Sequence, residues 1–165
     1  MHRLFRVLVL ALLSMPVSTV FAADVCSLLS QKDAAALLGQ PVTQVSPAGP
    51  QRDEDSGGQV TFCTYRAATS AVIVSVVEFA SGAEARKQLT RNLVQGRMEA
   101  EDAKVSEEPG LGERSFYAVS TQGMMYAFLK KNKVVGVAIG GEKLSKTAAS
   151  KESLRNTVQA VASKM

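Results

Sequence analysis

From residue 30 onward, hydrophobic positions in this 165-residue chain follow two periods, and each change of period marks an element. Over residues 30–39, Ala34, Leu37 and Leu38 recur at helical spacing. Ser30 supplies the N-cap, Asp33 completes a capping box, Gly39 ends the helix and Pro41 prevents its continuation. Before it, Cys26, Leu28 and Leu29 are expected to form a turn capped by Asp24. A short strand is predicted at 42–45. Residues 46–58 combine two prolines, three glycines and an acidic triplet, which predicts a mobile surface loop.

At Gln59 the period falls to two, with Cys63 and Tyr65 on one face and Val60 and Phe62 on the other. Residues 71–79 are apolar on both faces and predict a central strand. Ser81 and Glu84 then open a helix running to about Met98, with Ala85, Leu89 and Leu93 on its inner stripe. Acidic residues follow, with a short strand expected at 104–106. Beyond Pro109-Gly110-Leu111-Gly112, three runs of period two at 115–120, 124–130 and 134–139 predict an antiparallel meander. Leu154, Val158, Val161 and Met165 carry a last helix over about 148–163. This order predicts an α+β fold: an antiparallel sheet of about five to seven strands covered by two or three helices.

The first 22 residues change the picture of location. His2, Arg3 and Arg6 precede an apolar run at 7–13, and Val20 and Ala22 stand at the minus-three and minus-one positions of a cleavage site. The segment reads as a secretory signal peptide, leaving a single α+β domain over 23–165. The run is shorter than the roughly 20 residues that span a bilayer, so no stable membrane insertion is expected after cleavage. An oxidising compartment makes a Cys26–Cys63 disulfide the expected state of the chain's two cysteines. The protein is expected to be periplasmic or secreted.

Removing the signal leaves 17 basic against 15 acidic residues, too balanced to draw the chain to nucleic acid. It also removes His2, the one histidine. Histidine-dependent triads and Cys/His zinc sites lack their histidine, and the expected pairing of both cysteines removes thiol nucleophiles, so no enzyme, metal or cofactor is expected. Gly110-Leu111-Gly112 leads into a strand and lacks the third glycine of a dinucleotide loop, so a turn is expected. The segment 140–145 lacks Walker spacing, and its Lys143 is expected to be solvated. Asp53, Glu54 and Asp55 resemble the start of a calcium loop, but Thr64 stands at its twelfth position. Glu78, ending an apolar strand, is expected to reach solvent or a nearby arginine.

Taken together, Cys26-x-Leu28-Leu29-Ser30, Asp33, Leu38-Gly39, Cys63-x-Tyr65 and Pro109-Gly110-Leu111-Gly112-Glu113 before a meander resemble a family of secreted domains of unknown function. The family is common as lipoproteins in actinobacteria and is similar in fold to the PsbP-like photosystem proteins. The resemblance implies an envelope location and a fold, and brings no catalytic residues; this chain lacks the lipidated cysteine.

Two surfaces remain as candidates. Arg52, Asp53, Glu54 and Asp55 in the long loop, with Arg86, Lys87 and Arg91 on the basic helix face, would recognise an envelope protein in a non-enzymatic binding module, as an inhibitor or immunity-type factor does. Alternatively, a bare part of the sheet would form an apolar cleft at Phe62, Tyr126 and Phe128 and carry a small apolar or amphipathic ligand.

Overall fold

The computed structural model describes residues 20–99, 102–141 and 147–165. Most of the expected signal segment, the basic or titratable residues in it, and Lys143 lie outside them. In chain order the elements are α1 (Val20–Ser27), α2 (Gln31–Leu38), β1 (Gln44–Arg52), β2 (Gln59–Arg66), β3 (Ser70–Glu78), α3 (Gly82–Glu99), β4 (Lys104–Glu107), β5 (Arg114–Val119), β6 (Gly123–Lys130), β7 (Lys133–Gly141) and α4 (Lys151–Ser163). The seven strands form one sheet in the order β1-β2-β3-β7-β6-β5-β4, and every pair is antiparallel.

Strand alternation decides which side chains meet which layer. Cys63 and Tyr65 stand opposite Val74 and Val72, which face Val137 and Ile139 and then Tyr126 and Met124. This face packs against Val25, Leu29, Leu37, Leu38, Leu154, Val158 and Val161 from α1, α2, α4 and the turn between α1 and α2. Fully burying each such aliphatic side chain is worth roughly 1.5–3 kcal/mol. On the opposite face, Phe116, Ala127, Leu129 and Val134 pack under Ala85, Leu89 and Leu93 of α3.

Local signals set the ends of the elements. Ser30 accepts from the Asp33 amide at 3.1 Å, and Gly39 closes α2 at φ 65°. Ser81 likewise accepts from the Glu84 amide at 3.2 Å. Leu111 is buried in the helix-covered core, and flanking Gly110 (φ 86°) and Gly112 (φ 59°) form the turn that inserts it.

Three expectations need correction. Four helices are present among the described residues instead of two or three, because Cys26 belongs to the last turn of α1 and Asp24 lies within that helix. The short strand expected at 42–45 begins only at Gln44 and continues as a nine-residue β1, so Arg52 ends a strand and only residues 53–58 form the loop. β1 is an edge strand, where proline's missing N–H is tolerated, so Pro47 and Pro50 do not stop it; a register shift between Ala48 and Gln51 absorbs the irregularity. The loop itself is tightly turned, since Ser56 donates to Asp53 Oδ2 at 2.5 Å and the Gly57 amide donates to the Asp53 carbonyl at 2.7 Å.

Candidate functional site

The Cys26–Cys63 disulfide is formed, with its cysteines 37 positions apart. Two residues further along β2, Tyr65 is 1% exposed and directs its hydroxyl to the carbonyls of Cys26 at 2.7 Å and Leu29 at 2.6 Å. Burial pushes its phenol pKa up. Cys63-x-Tyr65 thus holds the α1–α2 segment to the sheet through one covalent and one shared hydrogen-bonding contact.

The anchored segment forms one wall of a cleft of about 540 Å3, within the roughly 300–1,000 Å3 typical of small-molecule sites. Val25 and Leu28 approach from the α1 side, Thr61 and Val76 from the sheet, and Met165 from the chain end after α4. The rim is polar. The β6–β7 turn contributes Lys130, Lys131, Asn132 and Lys133, the segment after α4 contributes Lys164, and Asp24 and Glu78 are the carboxylates.

Several rim groups are already engaged. Lys130 Nζ donates to the Ala162 carbonyl at 2.8 Å, and Lys164 Nζ donates to the Leu28 carbonyl at 3.0 Å. Both lysines therefore serve carbonyls at or near helix C-termini. Asn132 Nδ2 donates to the Phe79 carbonyl at 2.8 Å, fixing the turn against the end of β3. Glu78 is half exposed, as its strand-end position predicts, and its cationic neighbour is Lys133 at 3.4 Å in place of the arginine expected.

A second polar cluster braces the opposite end of α4. Glu108 accepts from Lys151 at 2.6 Å and Arg155 at 3.2 Å, and from Ser106 at 3.0 Å. The Lys151 hydrogen bond foremost, with Ser106 and the nearby positive charges, holds its carboxyl below the usual glutamate range despite opposing desolvation. Lys151 also sits 5.0 Å from the Tyr117 ring centroid, and Tyr117 packs against Tyr126 at 4.9 Å.

The predicted aromatic cleft does not assemble. Tyr126 and Phe128 are fully buried in the core beneath the helices, whereas Phe62 is half-buried on the other face, between Ala48 and Ser75 on neighbouring strands. Their opposite facing follows from strand alternation. The bare part of the sheet lies around Phe62 and Ile73, with Ile73 40% exposed.

The two candidate charged patches partly merge. Arg91 Nη1 approaches the Asp55 carbonyl at 3.5 Å, joining the loop to α3, while Arg86 pairs with Glu113 at 2.9 Å. Lys87, Arg52 and Glu54 are exposed, and Asp53 turns into its own loop. The cleft residues escaped sequence reasoning because they come from distant parts of the chain. Its one local signal was the concentration of lysines in Lys130-Lys131-Asn132-Lys133.

No protein-family model matches the sequence, and no curated protein sequence does. Among solved structures, the chain is similar to the extracellular domain of PknH from Mycobacterium tuberculosis, with a TM-score of 0.57 and 10% identity, over 87% of this chain and 95% of that one. At that identity the likeness is one of fold. No described helix is long and apolar enough to cross a membrane.

Proposed function

We propose that this chain is a secreted or periplasmic, non-enzymatic domain that binds a small amphipathic molecule in the cleft between α1, the end of the sheet and the segment after α4. The observation that carries the reading is the cleft itself: an apolar floor under a polar rim, with one wall anchored by Cys26–Cys63 and Tyr65. The formed disulfide and the signal-like first 22 residues support an oxidising location. The absence of any histidine beyond His2 and the pairing of both cysteines support a role without catalysis. We also infer kinship with actinobacterial secreted domains of PsbP-like fold, supported by the pattern Cys26-x-Leu28-Leu29, Cys63-x-Tyr65 and Pro109-Gly110-Leu111-Gly112.

Native mass spectrometry of gently purified protein, before and after delipidation, tests the reading. A released small mass that rebinds to wild type, but not to a Val76→Phe variant of unchanged melting temperature, is expected. Rebinding to that variant with undiminished affinity would refute this cleft as the site.

Arg91 near Asp55 favours a second reading, in which the joined surface of α3 and the 53–58 loop docks an envelope protein. Replacing Glu54 and Asp55 with serine, which leaves the Asp53 turn intact, should then abolish partner capture at unchanged melting temperature. Undiminished capture would remove the surface from consideration.

A further inference from the structure

We propose that the cleft selects a single-chain amphiphile with an anionic head, its chain lying on Val25, Leu28 and Val76 and its carboxylate or phosphate held by Lys131 and Lys133. This rests on the ligand-binding reading above and adds the chemistry of the head. Four lysines line the cleft against the side-chain carboxylates of Asp24 and Glu78, so the balance among the lining side chains is positive. Lys130 and Lys164 donate to carbonyls. The other two are held loosely or not at all. Lys133 holds Glu78 only at 3.4 Å, with both side chains more than one third exposed. The ammonium of Lys131 has no partner among the described residues.

The two-residue hairpin turn between paired Lys130 and Lys133 fixes the backbone at Lys131. That residue adopts φ 57°, the one positive φ at a non-glycine position among the described residues, where glycine or asparagine is the usual occupant. Its amide donates to Glu113 Oε1 at 2.8 Å, fixing that conformation. A tight turn carrying lysine at its strained position places an unpaired cation at the cleft mouth.

Calorimetric titration with dodecanoate, dodecyl phosphate, dodecanol and dodecyltrimethylammonium, each below its micelle concentration, tests the inference. Both anions should bind, and the alcohol should bind roughly three- to tenfold more weakly, the effect of two partly exposed charge contacts. The cation should bind more weakly still. Lys131→Gln with Lys133→Gln should erase the preference for the anions, and Glu78→Gln, which releases Lys133, should tighten anion binding. Because these two changes act in opposite directions, general destabilisation cannot reproduce the pattern. Equal binding of alcohol and anion would overturn the head-group assignment and leave the cleft as a binding site. Failure of all four to bind would overturn both readings.

Discussion

Tyr65→Phe removes one oxygen from the centre of the clamp that positions the cleft wall. In the wild type, that hydroxyl serves the carbonyls of Cys26 and Leu29. Losing it strands the Leu29 acceptor in a buried setting, at about 1–3 kcal/mol, while the more accessible Cys26 carbonyl can take a water instead. A net loss of about 1–2 kcal/mol is expected. Unfolding entropy for a chain of this size is about 0.3 kcal/mol per degree, so the melting temperature should fall by roughly 3–7 °C. Urea unfolding followed by circular dichroism, with the disulfide intact, should show a lower midpoint at unchanged slope. The cost should shrink when Cys26 and Cys63 are both replaced by alanine, because bridge and hydroxyl hold the same segment. The raised pKa adds a pH signature. Wild-type stability is complete below tyrosine's ordinary value of 10.0 and declines as pH rises through the higher folded value, and Tyr65→Phe should reduce that decline. A change below about 0.3 kcal/mol, or costs that add fully with loss of the bridge, would refute the clamp.

Other perturbations test the remaining structure. Glu108→Gln should cost about 1 kcal/mol at neutral pH. Because the folded pKa of Glu108 is depressed, its contribution exists above glutamate's ordinary 4.5 and is lost as pH falls through the folded value; denaturant melts from pH 6 to 3 should show a flatter acid dependence in the variant. Lys131→Gly relieves a left-handed backbone that costs about 1–2 kcal/mol, against some loss of chain entropy. A net gain of about 0.5–1 kcal/mol is expected in thermal melts, and a loss would contradict the strain assignment. Gly112→Ala places a Cβ against the Leu129 carbonyl at φ 59° and should cost more than about 2 kcal/mol by urea titration. Wild-type stability there would contradict the turn geometry.

The sequence revealed most about features whose causes are local. Ser30 with Asp33, Ser81 with Glu84, and the alternation through residues 115–139 predicted elements that are present. β1 was underestimated because Pro47, Gly49 and Pro50 are local stop signals, and only pairing of an edge strand with β2 overrides them. Cys63-x-Tyr65 was visible as a pattern, but the hydroxyl's role depends on carbonyls more than 35 residues away. The site was harder still. Phe62, Tyr126 and Phe128 are all aromatics at strand positions, yet register sends them to opposite faces. Their replacements, Val25, Leu28, Val76 and Met165, look like ordinary core residues until three distant chain segments are brought together. The basic turn beside them was legible as composition, whereas its strained backbone was not.

The most direct measurement is a methyl-resolved NMR titration of the disulfide-bonded protein with dodecanoate below its micelle concentration. The account predicts saturable shifts at Val25, Leu28, Val76 and Met165, with Ile73 on the bare sheet face unchanged. Shifts centred on Ile73 and Phe62, or no saturable shift in the cleft, would contradict it.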